Sequence, residues 1–297
     1  MSILFSYSKL QDLVGSNAER MAFIDFKLQF TGIINRSDLY NEFGIAEAAA
    51  SRMFTQYSKL RPTNMIYDRA LKANAIQVQS FNPLLLIEAE TALGMLANGF
   101  NKNKFTNKPI LPYARIGKIP NPLDSTAIAK ITRAIFGGYS INCCYISANS
   151  ENHDIRTLVP LAVLFDGRSW IFRAYDRNES GEVKFKNYNF SRSTNIEESF
   201  ESKKLNYEEL SEDNMWNQTL PLVLELHPSL GDSDKASVRK DFGMVKEQND
   251  LILTERAALL WLLTKQWHID SSEVPSKSKY YKFIFKNRDM LKAYLKN

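Results

Sequence analysis

Residues 156–176 read Arg156-Thr-Leu-Val-Pro160-Leu-Ala-Val-Leu-Phe-Asp166-Gly167-Arg-Ser-Trp170-Ile-Phe-Arg173-Ala-Tyr175-Asp176, and after a polar turn Phe185-Lys-Asn-Tyr188-Asn-Phe-Ser-Arg192 follows. Asp166-Gly167 and Asn178-Glu-Ser-Gly181 are strong turn signals that divide the stretch into three β-rich runs. In the middle run Trp170, Phe172 and Ala174 alternate with Ile171, Arg173 and Tyr175, so the two sets lie on opposite faces of a strand. A small barrel built this way buries Trp170 and Phe172 and presents Arg173 and Tyr175 outward. The same alternation also fits a basic-faced sheet that binds no ligand.

Upstream, residues 1–83 carry a different pattern. Ser16 to Glu19 has the form of a capping box opening an apolar helix from Arg20 to Phe30, which Gly32 ends. A short helix from Arg36 to Phe43 stops at Gly44, and a third runs from Ala46 to Leu60. Helix, short helix, glycine turn and helix is the outline of a helix-turn-helix. On the third helix Ala50, Met53, Phe54, Tyr57 and Leu60 share one face at helical spacing, which predicts burial. The opposite face carries Ala48, Arg52, Thr55 and Lys59, flanked by Ser51 and Gln56. Short side chains there let a helix approach a major groove, with Arg52 and Gln56 long enough to reach base edges. Taken alone, the same face is also an ordinary solvated one. Pro62-Thr-Asn64 then makes a turn, Met65–Tyr67 and Ala75–Val78 can pair, and a tip at 68–72 offers Arg69 and Lys72 to phosphates. The expected unit is a winged helix-turn-helix, with Arg36 and Ser37 of the second helix counted among its DNA contacts.

Pro83-Leu84 starts a predicted helix to Asn98, and residues 99–122 form an extended, mildly basic linker rich in proline. A helix from Ala127 to Phe136, on which Lys130 and Arg133 are expected to be solvated, leads into a strand from Tyr139 to Ser147. Beyond residue 200 the pattern is α+β: strands at Leu220–Leu226, Leu251–Leu253 and Tyr280–Phe285, a helix after Gly231-Asp232, and an apolar helix from Glu255 to His268. That apolar helix is either self-contained core or a dimer face.

Composition bounds the function. A chain of 297 residues with 44% hydrophobic and 24% charged residues has the make-up of a soluble globular protein of two or three domains. No signal peptide or membrane span is visible, and the adjacent Cys143 and Cys144 cannot build a disulfide framework, so a reducing cytoplasm is expected. The net charge of +5 arises wholly in residues 1–120, with 14 Lys/Arg against 9 Asp/Glu; residues 121–297 hold 24 of each. A polyanion partner is therefore sought in the N-terminal part. His153, His227 and His268 lack metal-ligand spacing, and no phosphate loop, nucleophile elbow or H-E-x-x-H motif occurs. Neither catalysis, a metal nor a cofactor is expected.

In this order the segments resemble the WYL-domain transcriptional regulators, in particular the phage-defence-associated BrxR and CapW type that accompanies BREX and CBASS systems. The resemblance covers nearly the whole chain. It rests on Phe23-Ile-Asp-Phe26, Gly32-Ile-Ile-Asn-Arg-Ser-Asp-Leu39, Phe43-Gly-Ile45, Ala50-Ser51, Tyr57 and Tyr67-Asp-Arg69 at the N-terminus. In the middle it rests on Tyr145, Ser147, Arg156, Pro160, Asp166-Gly167, Trp170, Arg173-Ala-Tyr175, Phe185, Asn187-Tyr188 and Ser191-Arg192. Trp216, Leu226-His-Pro228, Asp241-Phe-Gly-Met244 and Arg256-Ala-Ala-Leu259 complete it. The chain departs from the family's common pattern at Leu161 and Ile171, where histidine is usual, and the name-giving triplet is Trp170-Ile171-Phe172.

The resemblance implies an α+β multidomain protein: a winged helix-turn-helix over 1–83, a helical and extended linker over 84–124, a WYL domain over 125–200, and a C-terminal dimerisation extension over 201–297. The WYL domain is expected to be an Sm-like or SH3-like β-barrel with Tyr145, Ser147, Arg156, Arg173, Tyr175 and Arg192 around a ligand pocket. Arginines grouped on one barrel face would suit a nucleotide or nucleic-acid effector. Two functions of different class follow. One is a homodimeric repressor on an inverted-repeat, double-stranded operator; the other is a nucleic-acid or nucleotide sensor that works through a protein partner without an operator of its own.

Overall fold

The computed structural model describes residues 4–106, 111–112, 114, 123–147, 155–181 and 183–295. His153 and the linker residues Lys108, Pro109 and Ile119–Pro122 lie outside the described residues. The chain divides into two compact units: Met1–Leu164 with Trp170–Lys204, and Phe165–Ser169 with Leu205–Asn297.

The first unit is organised around one helix. After α1 (Tyr7–Val14), helix α2 (Ala18–Thr31) buries residues on all sides, among them Met21, Ile24, Phe26, Leu28 and Phe30. A helix that is apolar all round belongs in the middle of a core. It starts two residues before the expected Arg20, because Gly15–Asn17 form a 3-10 turn, and its N-cap residue Asn17 makes no side-chain cap. The capping box is instead at α3 (Arg36–Phe43), where Asn35 and Asp38 exchange side-chain and backbone hydrogen bonds. Left-handed Gly44 ends α3, and α4 (Glu47–Leu60) follows. Strands β1 (Ile33–Ile34), β2 (Met65–Asp68) and β3 (Ala73–Ile76) form an antiparallel sheet in the order β1-β3-β2, the last two being the wing. Wing pairing runs Met65↔Ile76 to Asp68↔Ala73, two residues earlier on the return strand than the sequence pattern predicts.

The predicted helix from Pro83 is extended up to Glu88, and α5 spans only Ala89–Asn98. The backbone of this stretch is used elsewhere: Leu84 O accepts from Phe5 N–H at 3.0 Å, and the Leu84 and Leu85 N–H groups bond the Asp25 carboxylate. Helix α6 (Ser125–Gly137), capped by Asp124, then precedes β4 (Tyr139–Tyr145), β5 (Ile155–Phe165), β6 (Trp170–Asp176), β7 (Phe185–Asn189) and β8 (Ser193–Lys203). These five antiparallel strands are ordered β7-β6-β5-β4-β8. The expected closed barrel is not found: among the described residues no ladder joins β7 to β8. The chain passes between them through the 3-10 turn Phe190–Arg192, whose Phe190 ring packs into the core against Phe172 at 5.0 Å.

Arg133 departs from its expected solvated place. It is buried on α6, donates to both carboxylate oxygens of Glu198 on β8 at 2.9 and 2.5 Å, and bonds Gln29 O of α2 at 2.8 Å. Tyr139 Oη donates to the same carboxylate at 2.7 Å. Lys130 also turns inward, donating to Ile196 O at 2.6 Å. Arg133 thus ties α6 and β8 to the C-terminal turn of α2, where Gly32 in the left-handed region (φ 81°) leaves space for its methylenes.

The second unit contains α7 (Asn214–Asn217), β9 (Thr219–Leu226), α8 (Asp232–Asp241), β10 (Asp250–Arg256), α9 (Leu260–Gln266), β11 (Ile269–Asp270), β12 (Phe283–Phe285) and α10 (Arg288–Leu291). Its sheet is ordered β10-β9-β12-β11. Leu220, Leu222, Leu224 and Leu226 point from β9 into a core that also holds Val238, Leu260, Leu263 and Phe283. The apolar helix begins at Leu260 rather than Glu255, since ladder pairing with β9 keeps the chain extended to Arg256↔Thr219.

Removing one partner of a buried, hydrogen-bonded ion pair leaves the other charge unpaired and costs about 3–5 kcal/mol. An Arg133→Ala chain should therefore unfold at lower urea with a loss of that size. The joint Arg133→Met and Glu198→Leu change should cost less, and an equal or greater cost would contradict the assignment.

Candidate nucleic-acid interface

Helix α4 displays the face that the sequence predicts. Ala48, Ser51, Arg52, Thr55 and Lys59 are exposed, whereas Ala50, Phe54 and Tyr57 are buried and Met53 and Leu60 half-buried. Ser51 and Thr55 return their hydroxyls to the helix, donating to Glu47 O at 3.0 Å and Ser51 O at 3.1 Å. Arg52 has no hydrogen-bond or ion-pair partner among the described residues. Arg36 and Ser37 are exposed at the start of α3; Arg36 lies 3.5 Å from Glu47, and Ser37 Oγ donates to Asn35 Oδ1 at 2.6 Å. Arg69 and Lys72 are exposed on the wing tip, where Asp68 Oδ1 accepts from Ala70 and Leu71 N–H, and Lys72 takes a left-handed φ of 51°. Gln56 departs from the group: it is half-buried, and its Oε1 accepts from Asn17 Nδ2 at 2.9 Å. Its reach is spent on the start of α2.

Beneath the exposed face, α4 is fixed by polar groups. Tyr57 Oη donates to Asp25 Oδ1 of α2 at 2.6 Å and accepts from Asn64 Nδ2 at 2.9 Å. Asn64, at the start of the wing, also donates to Asn82 O at 2.8 Å and accepts from Asn82 N–H at 2.9 Å. Asp25 Oδ2 accepts from Leu84 N–H at 2.9 Å and Leu85 N–H at 3.2 Å. Arg61 closes the group, donating to Asn82 O and Pro83 O. Burial raises the Asp25 carboxyl to about 6, against the lowering effect of its hydrogen bonds from Tyr57, Leu84 and Leu85. Burial, with Asp25 beside it, also raises the Tyr57 phenol, which stays protonated as the donor.

On the five-stranded sheet the structure separates residues expected together. Arg156 shares a face of the five-stranded sheet with Cys143, its ladder partner, and donates to Asp176 Oδ2 at 2.9 Å. Tyr188 Oη donates to the same oxygen at 2.7 Å, and Tyr145 packs edge-on against Tyr188 at 4.9 Å with the Arg156 guanidinium 6.0 Å from its own ring. Burial and the neighbouring Asp176 raise the Tyr188 phenol, and burial pushes the Cys143 thiol up to about 12. Arg173 and Tyr175 lie on the opposite face of β6, but not outward in solvent: Arg173 is only 4% exposed and Tyr175 is buried. Their cross-strand partners cover them. Arg173 Nη1 donates to Asn187 Oδ1 at 3.2 Å, and Tyr175 packs edge-on against Phe185 at 5.1 Å. Phe172 is buried as expected, and Trp170 is half-buried. Half-buried Ser147 follows β4, and Arg192 is exposed, with its carbonyl accepting from Ile146 N–H at 3.0 Å. Tyr145, Arg156 and the Arg192 turn are therefore near one end of β4, while Arg173 is across the sheet. Asn189 joins this end: its N–H donates to Tyr145 Oη at 3.2 Å, and its Oδ1 is buried with no partner among the described residues.

Three domain families match in the order that these segments take. Residues 16–97 match the BrxR transcriptional regulator winged helix-turn-helix domain, residues 126–197 the WYL domain, and residues 219–291 the BrxR transcriptional regulator C-terminal dimerization domain. The chain belongs to the WYL-domain transcriptional regulators of the BrxR and CapW type. Relatives along nearly its full length are named DNA-binding transcriptional repressor CapW. The one from Escherichia coli (strain KTE188) is 27% identical over 93% of this chain and 91% of its own, and the one from Pseudomonas aeruginosa is 28% identical over 92% and 90%. The one from Stenotrophomonas maltophilia is 25% identical over 93% and 91%. No helix among the described residues is long and apolar enough to cross a membrane.

Four residues of this regulator were given no role by the sequence reading. Asp25, Asn64, Asp176 and Tyr188 each make the hydrogen bonds that fix a neighbour. Asp25 had a legible signal, being the one carboxylate inside an otherwise apolar stretch from Met21 to Phe26.

A carboxyl whose folded pKa is raised favours folding in acid: its contribution is fully present below the unfolded value of about 4 and is lost as pH rises through about 6. Thermal melts of the parent and Asp25→Asn chains should therefore diverge in parallel with this titration. From pH 7 to pH 4 the parent should gain about 2–3 kcal/mol relative to the variant. A difference independent of pH would contradict a buried, titrating Asp25.

Proposed function

We propose that this chain is a DNA-binding transcriptional repressor that acts as a homodimer. One observation carries the reading: α4 shows solvent a face of small side chains around Arg52, which has no partner among the described residues, while the buried face of the helix is held through Tyr57. Small residues let the helix enter a major groove, and an arginine free of intramolecular partners is available for a bidentate contact with guanine. Arg69 and Lys72 on the wing, with Lys59, supply cations for phosphates, which set register without reading sequence. Arg36 and Ser37 belong to the same contact set. Gln56 acts in positioning α4 rather than in base contact, given its bond to Asn17. The relatives' shared name and the matched C-terminal dimerization domain support the same reading.

Two α4 helices related by a two-fold axis call for an inverted-repeat operator, with half-sites separated by a whole number of helical turns. The regulated unit we infer is a phage-defence operon of the BREX or CBASS kind, with repression relieved by an effector at the WYL domain. Support for an effector site is local to one end of β4, where Tyr145, Arg156 and the buried Asn189 Oδ1, without a partner among the described residues, come together. A nucleotide or nucleic-acid phosphate there competes with Asp176 for Arg156. Arg173, on the other face, takes no part in the same contact.

A mobility-shift titration on the DNA upstream of the gene tests the function. The parent should bind with an affinity that falls steeply with salt. Arg52→Ala should lose about 1–3 kcal/mol of specific binding while keeping that salt slope, whereas Lys72→Ala should weaken all sequences alike. Unchanged binding by Arg52→Ala would overturn the recognition-helix assignment. Absence of binding by the parent would favour a sensor that works through a protein partner.

A further inference from the structure

Strand β10 is an outer strand of its sheet, and the register shows which of its peptide groups lie along the open edge. On one side of β9, Leu226 N–H donates to Asn249 O at 3.2 Å. On its other side, His227 N–H donates to Lys282 O at 2.9 Å, and Lys286 N–H donates to Val223 O at 2.8 Å. Even-numbered residues of β9 therefore turn their peptide groups to β10, and odd-numbered ones to β12. Since Leu251 pairs with Leu224 and Leu253 with Leu222, the odd residues of β10 bond β9. Asp250, Ile252, Thr254 and Arg256 direct their peptide groups away from it.

The two ends of this edge are closed by nearby side chains. Gln248 Nε2 donates to Asp250 O at 2.7 Å, and Arg256 N–H donates to Glu255 Oε1 at 2.7 Å. Between them the N–H and C=O groups of Ile252 and Thr254 have no partner among the described residues. Their side chains share one face and are exposed, Ile252 by 71%. The central run Leu251-Ile-Leu-Thr254 carries no lysine, proline or bulge. Such devices are what natural proteins use to keep an open edge from pairing. The edge is built to be covered.

We propose that a second copy of this chain covers it, β10 pairing antiparallel with β10 across a two-fold axis. Ile252 then faces the second copy's Thr254 and Thr254 its Ile252, with Leu253 on the axis. The four exposed peptide groups of each copy satisfy one another in four intermolecular hydrogen bonds, and two four-stranded sheets become one of eight strands. An isologous interface requires such self-complementarity, which an antiparallel edge provides by construction. The choice of occupant rests on the homodimer reading: β10 lies within residues 219–291, which match the dimerization domain. The family match gives the domain, and the register gives the strand.

The test uses the full chain and light scattering across a dilution series. Thr254→Pro removes an N–H that β9 does not use, at an edge position where proline is tolerated. It should keep its far-UV circular dichroism and melting behaviour but raise the dimer dissociation constant at least about tenfold. Thr254→Val, which keeps the N–H, should match the parent. The joint Ile252→Cys and Thr254→Cys chain, treated with a short bis-maleimide, should give a covalent dimer well above the background from Cys143 and Cys144 in the parent. This cross-link decides the matter if the proline chain fails to fold. A parent of 34.1 kDa at every concentration would sink the homodimer reading itself. A dimeric parent, with undiminished Thr254→Pro association or no specific cross-link, would overturn the β10 edge and leave the homodimer standing.

Discussion

A single buried carboxylate sets the geometry of the winged segment. Asp25 is inside α2 without exposure and accepts hydrogen bonds from Tyr57 of α4 and from the Leu84 and Leu85 amides of the connector. Asn64 extends the group to the wing and to Asn82. Three segments distant in sequence therefore meet at one carboxylate, and the wing joins them through Tyr57. The apolar packing of α2 and α4 would tolerate small rotations of one helix on the other, since hydrophobic contact is non-directional. A 2.6 Å hydrogen bond to a phenol does not, and a donor removed from a buried carboxylate leaves an unsatisfied charge. Packing supplies the adhesion, and the network supplies the angle at which Arg52 is presented.

The same helix carries a second fixed point. At its C-terminal turn, Gln29 O accepts from Arg133, which is clamped by Glu198 of β8. Bonded and packed groups thus run without a break from β8 through α6 and α2 to α4. That continuity explains why the winged segment and the five-stranded sheet form one compact unit with a shared core rather than two domains on a tether.

Where periodicity alone decides the outcome, the sequence is legible: the glycine-terminated α3, the buried stripe of α4 and the alternating β9 stand where pattern puts them. The failures have a common cause, which is tertiary demand for backbone or charge. Leu84 to Glu88 has a helical pattern, but its amides are needed by Asp25 and its carbonyl by Phe5. Arg133 lies on a helix whose pattern leaves it outside, and only the placement of Glu198 and Gln29 shows why it turns in. Arg173 alternates correctly to the face opposite Phe172, yet period two says nothing about whether that face is open. Gln56 looks equivalent to Arg52 until Asn17 is brought beside it. The sequence locates faces; the partners that occupy them come from distant segments.

The Asp25 group locks α4, the wing and the connector as one element. Amide hydrogen exchange in the Tyr57→Phe chain tests it most directly, because the ring and its packing remain and only the hydroxyl is lost. Protection is expected to fall together in residues 47–60, in the wing strands and at the Leu84 and Leu85 amides, with the sheet of residues 139–203 unaffected. Faster exchange confined to the turns next to Tyr57, or none at all, would contradict it.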